Sequence, residues 1–244
     1  MADMVLWEDE RLVAVNKPPG VSLATRSSEP GAAVQRLVAA IPEDERAAAW
    51  LDPESLFLVH RLDVGTSGVV LLARDKEAHA CLIAAFSARR VEKSYLALVW
   101  GKPRPREGRW EWPLGPDRKD RRRMKVDPGG RPSASRYRVI ATAPHVSLVE
   151  LHPETGRTHQ LRVHLAHAGH LIVGDDLYGG PRHHAVRSPS LSKVLQPHHP
   201  FLHARRIVLP RTACTQELIL TAPLPEDFQE TLFALAMAVP GEAD

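Results

Sequence analysis

The chain has 244 residues, 43% of them hydrophobic, and a formal net charge of only +3, too small to argue by itself for a polyanionic partner. That length can bury a real core, as one sizeable domain or two packed lobes, and two cysteines, Cys81 and Cys214, suit a reduced, cytoplasmic protein better than a disulfide scaffold. The acidic opening "MADMVLWEDE" does not fit a secretory leader, and no apolar run approaches the ~20 residues of a membrane span, so no membrane association is expected.

In chain order, "VLWEDERLVAVNKPPGV" predicts two short strands around an acidic turn, ended by Pro18, Pro19 and Gly20. Residues 31–41 predict a helix, and the Pro- and acid-rich stretch from Pro42 to Pro53 a surface connection. In "LVHRLDVGTSGVVLLAR", Asp63 falls on a tight turn at the edge of the core, just ahead of a buried strand over residues 69–74. "DKEAHACLIAAFSARR" has helical periodicity with Asp75 placed as N-cap, and "EKSYLALVWG" returns to a strand with Tyr95 and Ala97 on one face.

Residues 101–132 are rich in Pro, Gly and Arg and predict a projecting hairpin or loop. From Lys102 to Arg138 there are thirteen Lys or Arg against five Asp or Glu, a local +8 that leaves the rest of the chain at about −5. Such a concentration suits either a localised anionic partner or a solvated loop. "SASRYRVIAT" and "VSLVELHP" predict a strand pair; "ETGR" is a turn, and "THQLRVHLAHAG" an amphipathic helix with Leu161, Leu165 and Ala168 in one stripe and Gly169 as its stop. Strands over "FLHARRIVL" and "QELILTAP" and a helix over "PEDFQETLFALA" close the chain. Hairpins mixed with helices, without strict βαβ alternation, indicate an α+β fold.

Asp63 is the most informative residue for chemistry. A partly desolvated carboxylate kept ionised by a guanidinium is a nucleophile toward carbon, although an Asx-turn or a structural pair with Arg61 would place it equally well. Arg162 is a candidate partner from far along the chain; the alternative is an ordinary surface arginine. Histidines 159, 164, 167 and 170 invite a zinc site, but their spacing is poor and no H-E-x-x-H occurs, so no metal is expected. Serine-hydrolase, P-loop and dinucleotide signatures are missing, and nothing singles out Glu92, Glu150 or Glu154 for glycosidase work.

"HRLDVGTSGVVLLAR", "EKSYLALVWG" and "TGRTHQLRVHLAHAGHLIVGDDLYG" stand in an order and at separations that resemble the RluA-type family of RNA pseudouridine synthases. "AVNKPPGV", "PDRKDRRRMKV" and "FLHARRIVL" followed by "LTAPLPEDF" extend the likeness over nearly the whole chain. It departs from the family at Leu171, where proline is common, and at Ser133 and Ser135, where alanine and threonine are.

The resemblance implies an α+β pseudouridine synthase fold, with a central mixed, largely antiparallel sheet in two lobes around an RNA-binding cleft. It implies no metal or other cofactor. By motif position, Asp63 is the nucleophile, Tyr95 packs on the base and helps move a proton, and Arg162 pairs with Asp63. The target is a structured RNA, a ribosomal or transfer RNA stem-loop, whose uridine must be flipped out of the stack. His60 or Arg61 would fill the vacated space or hold the neighbouring phosphates. Arg118, Lys119, Arg121, Arg122, Arg123 and Lys125 would grip the backbone, with Arg157 and His159 also at the RNA. A single catalytic domain over 1–244 without an N-terminal S4 domain, acting as a monomer, completes the expectation. The rival is a catalytically silent RNA-binding domain of the same fold.

Overall fold

The computed structural model describes residues 3–24, 29, 31–180 and 182–238. In chain order, β1 (Val5–Glu8) and β2 (Leu12–Lys17) precede α1 (Ala32–Ala39), α2 (Glu43–Ala48), β3 (Phe57–Leu58), β4 (Ser67–Ala73) and α3 (Lys76–Ser87). Next come β5 (Glu92–Trp100), β6 (Glu107–Trp110), β7 (Leu114–Pro116), β8 (Met124–Val126), β9 (Ser135–Thr142) and β10 (Val146–Pro153). α4 (Gln160–His167), a 3-10 turn, α5 (Pro189–Val194), β11 (Leu202–Leu209), β12 (Leu218–Thr221) and α6 (Glu226–Ala234) follow. The architecture is α+β with mostly antiparallel pairing, as expected from the mixture of hairpins and helices. No helix among the described residues is long and apolar enough to cross a membrane.

The chain divides into two compact units. The first takes residues up to Lys93 and returns for Ala204–Leu224; the second takes Ser94–His203 and the chain from Pro225. In the first unit the strand order is β1-β2-β4-β11, with β3 also on β4 and β12 on β11. Every residue of β4 is buried, because its run of Val and Leu is covered on both faces. Val69, Leu71 and Ala73 pack with Leu12 and Ala14 of β2, Ile207 and Leu209 of β11, and Ala78, Leu82 and Ala85 of α3. Each such leucine contributes about 1.5–3 kcal/mol of burial. α3 starts where the carboxylate of Asp75 accepts the Ala78 N–H at 2.8 Å, the cap expected from sequence.

The second unit orders its strands β5-β10-β9-β6, all antiparallel, with Tyr95 opposite Leu151. Ala97 and Val99 of β5, Val149 and Leu151 of β10, Tyr137 and Val139 of β9 and Trp110 of β6 form its core with Leu161 and Leu165 of α4. The Trp110 and Tyr137 rings stack at 4.3 Å. A separate two-stranded ribbon, β7 with β8, carries the basic run at its turn.

Three expectations need correction. The stretch from Pro42 to Pro53 contains α2, whose first turn collects Glu43, Asp44 and Glu45 at the positive end of its dipole; Glu45 then accepts the N–H groups of Met4 and Val5 at 2.7 and 2.9 Å. Residues 101–132 hold more than a projecting hairpin or loop: β7 and β8 form such a hairpin, but β6 is an edge strand on β9, and Trp110 and Leu114 are buried. α4 is not amphipathic, since Gln160, Leu161, Arg162, Val163, His164 and Leu165 are all buried. Its polar members are paired, not solvated: the Gln160 amide donates to the Ala134 carbonyl and Ser135 hydroxyl and accepts from the Thr155 hydroxyl and Arg157 N–H.

Gly68, at the head of β4, has φ +114°, and a Cβ there would collide with the backbone of Ala204 in β11. Gly68→Ala is expected to cost about 2–4 kcal/mol in denaturant unfolding, through both the backbone conformation and the separated strands. An unchanged midpoint would show that the two strands do not need this close approach.

Candidate active site

The first unit presents Asp63 on a four-residue turn anchored at both ends. Leu62 before it and Thr66 and Ser67 after it are buried, whereas Val64 is exposed. The turn closes where the Thr66 N–H donates to the Asp63 carbonyl at 3.1 Å, and β4 begins one residue later.

A second clamp comes from the "NKPPGV" segment. Lys17 is 0% exposed, and its ammonium donates to the carbonyls of Pro18, Val21 and Val64 at 2.9, 3.0 and 3.1 Å, one acceptor for each of its three hydrogens. The Gly20 N–H donates to the same Val64 carbonyl at 2.8 Å. Burial pushes the Lys17 amine down to about 8, opposed by the negative charge of Asp63. At neutral pH this amine is still mostly protonated, so a buried cation accompanies the aspartate turn. Lys17 was not singled out in the sequence, because a lysine beside two prolines reads as a surface turn.

The neighbouring pair splits. Arg61 is exposed, but the His60 ring turns inward, stacked on Phe86 at 4.8 Å, with Nε2 accepting the Leu71 N–H at 3.2 Å. His60 is thus engaged in the packing of its own unit and is partly buried, whereas Arg61 is displayed to solvent. Burial first, and the positive charge of Lys93 second, push the imidazole down to about 3.

In the second unit, Tyr95 lies on β5 with its ring half-buried against the core formed by Ala97, Val99 and Leu151. Arg162 is buried on α4 and held side-on: Nε donates to Asp175 Oδ2 at 2.8 Å and Nη2 to Oδ1 at 2.7 Å. Asp175 also accepts the Tyr178 N–H at 3.2 Å, and the Arg162 guanidinium lies 5.0 Å from the Tyr178 ring centroid. Asp175 and Tyr178 were missed as site residues, although "VGDDLYG" lies at the end of the third motif. Their side chains meet Arg162 thirteen and sixteen residues along the chain, a separation that no helical spacing signals.

The basic residues are unequal. Arg118, Lys119, Arg121, Arg122 and Lys125 are exposed on the β7–β8 ribbon. Arg122 is bound by Asp120 through Nε at 3.0 Å and Nη2 at 2.8 Å, which holds that carboxyl down to about 2. Arg123 folds back over the Tyr178 ring, 5.2 Å from its centroid. Arg157 donates through Nε to the Pro132 carbonyl at 3.1 Å, and His159, in a left-handed conformation at φ 54°, places Nδ1 2.8 Å from the Tyr178 hydroxyl.

The four histidines of the zinc alternative do not converge. His164 is buried with Nε2 3.0 Å from the Ser133 hydroxyl and 3.2 Å from the Trp112 carbonyl, and burial lowers it to about 4. His167 meets the Trp112 ring edge-on, and His170 Nδ1 bonds the Trp100 carbonyl at 3.2 Å. Glu150 is bound by Arg138 and Ser94, and Glu154 by Arg109 and Arg136.

The His60 geometry has a pH signature. The unfolded ring takes a proton near 6.5, whereas the folded one resists until about 3, so its contribution is complete above pH 6.5 and is lost as pH falls. Between pH 6.5 and 4 that loss is about 3 kcal/mol. His60→Gln, whose amide oxygen can accept the Leu71 N–H, is expected to flatten the acid limb of the stability–pH curve; identical limbs would disprove the assignment.

A family model described as RNA pseudouridylate synthase matches residues 11–167. A Chloroflexus aurantiacus protein named as an uncharacterized RNA pseudouridine synthase is 43% identical over 220 residues, covering 89% of this chain but only 64% of that relative, less than two thirds of its length. The dual-specificity RNA pseudouridine synthase RluA of Vibrio cholerae is 41% identical over 180 residues, 72% of this chain and 69% of that protein. The solved structure of human RNA pseudouridylate synthase domain containing 4 superposes with a TM-score of 0.73 at 28% identity, covering 97% of this chain and 94% of that one. The family model covers more than half of the chain, and the chain belongs to the RluA-type family of RNA pseudouridine synthases.

Proposed function

We propose that this chain isomerises specific uridines in ribosomal or transfer RNA stem-loops to pseudouridine, acting as a cytoplasmic monomer with Asp63 as nucleophile. The observation that carries the proposal is the Asp63 turn itself: an aspartate in the family's nucleophile position, on a turn pinned by Lys17, Gly20 and Thr66. A turn fixed on both sides fixes the backbone that carries the carboxylate, and such positioning contributes to rate as the base is detached and rejoined.

The reaction balances internally. The N1–C1′ bond breaks, a C5–C1′ bond forms, the C5 hydrogen leaves as a proton, and N1 gains one. Nothing is oxidised or reduced. Asp63 would attack C1′ or C6, or assist a glycal route; Tyr95 would pack on the base and take part in the proton transfer. Arg162, its orientation set by Asp175, would serve as the cationic partner of Asp63.

Flipping the uridine costs a few kcal/mol of stacking and pairing. Arg61 is the better candidate to fill the space left behind, because the His60 ring is committed to Phe86 and Leu71. Backbone contacts would come from Arg118, Lys119, Arg121 and Lys125, with Arg157 and His159 near the base of the ribbon.

RNA tritiated at uridine C5, from cells lacking this gene, is expected to release label to water with wild-type protein and not with Asp63→Asn. Full release by that variant would remove Asp63 from the chemistry; tight RNA binding without release by wild type would identify a silent binder. Replacing Arg118, Lys119 and Arg121 with Ser should weaken RNA binding and lower the slope of log K against log salt by about 2–3, and an unchanged slope would take the ribbon out of the interface.

A further inference from the structure

Tyr178 touches three parts of the second unit at once. Its hydroxyl accepts the Met124 N–H at 2.8 Å, at the start of β8, and bonds His159 Nδ1 at 2.8 Å, at the head of α4. Its ring lies near two guanidiniums, Arg123 at 5.2 Å and Arg162 at 5.0 Å. Its N–H donates to the Asp175 carboxylate that fixes Arg162. The basic ribbon and the buried arginine therefore have one common support, and that support is half-buried with a polar tip between two backbone segments.

We propose that Tyr178 is a positioning residue that couples RNA capture by the β7–β8 ribbon to the setting of Arg162. The inference rests on the function proposed above. Phosphates drawn to Arg118, Lys119 and Arg121 pull on a ribbon whose second strand hangs from the Tyr178 hydroxyl. A shift of that strand moves Met124 and Arg123 against the ring, and the ring is packed on Arg162. An ion pair with two short hydrogen bonds tolerates little rotation, so small ring displacements alter how Arg162 is presented. Binding on the ribbon thus becomes binding that also raises turnover, which grip on the phosphates alone does not accomplish.

The test separates KM from kcat in four proteins: wild type, Tyr178→Phe, the Arg118→Ser/Lys119→Ser/Arg121→Ser ribbon variant, and their combination, assayed by release from the C5-tritiated RNA. In the wild-type background the ribbon variant is expected to raise KM about tenfold and lower kcat about threefold or more. In the Tyr178→Phe background it should still raise KM, but kcat, already reduced, should fall no further. Equal fold-losses of kcat in both backgrounds, including no loss in either, overturn the coupling. Tyr178→Phe removes one oxygen and keeps the ring; should it fail to fold, Arg123→Gln removes the cation above the same ring and must show the same loss of coupling. Absence of any release by wild type would instead count against the proposed isomerisation, and fluorescence anisotropy with a labelled transfer RNA transcript then reads the ribbon's grip independently.

Discussion

The buried pair between Arg162 and Asp175 is the constraint around which the second unit is arranged. A guanidinium almost out of water is tolerable only if its hydrogens are directed to acceptors, and two short bonds to a carboxylate with 1% side-chain exposure meet that need. Asp175 must then be brought to α4, which requires the turn after Val173. Gly174 makes it possible with φ +79°, where a Cβ would strike the His199 carbonyl. The same turn delivers Tyr178, so one ionic requirement orders the helix, the loop behind it and the ring beneath the basic ribbon.

The first unit solves a parallel problem with the opposite chemistry. Lys17 is satisfied by three backbone carbonyls, and the segment it gathers is the turn carrying Asp63. In both units a buried cation gathers the chain around it. Each is costly to disturb, because removing the acceptors leaves an uncompensated charge.

Much of this was legible from sequence where local rules act. Asp75 caps α3 because a carboxylate before an apolar helical run has an orphan N–H within reach, and Tyr95 shares a face with Ala97 because strand periodicity is two. The Asp63 turn followed from glycine and a buried run after it. What sequence could not yield were polar groups buried by distant partners. For Arg162 an ordinary surface arginine was the alternative, and His164 entered only through the zinc alternative; their burial follows from Asp175, Ser133 and Trp112, which lie far along the chain. His60 looked available beside Arg61, but Phe86 and the Leu71 amide claim it from another part of the chain. The Pro-, Gly- and Arg-rich stretch over 101–132 reads as a hairpin or loop, and its composition says nothing of an edge strand that buries Trp110.

The Lys17 clamp carries a consequence for how the protein is made. Lys17 and Val64 are 47 residues apart, and the carbonyls that hold the ammonium come from both sides of that separation. A nascent chain that has synthesised the aspartate turn but not closed this loop has the right residues in the wrong shape. The shape of the aspartate turn thus arrives only with long-range closure, because carbonyls from two distant segments must converge on one ammonium before the turn is held.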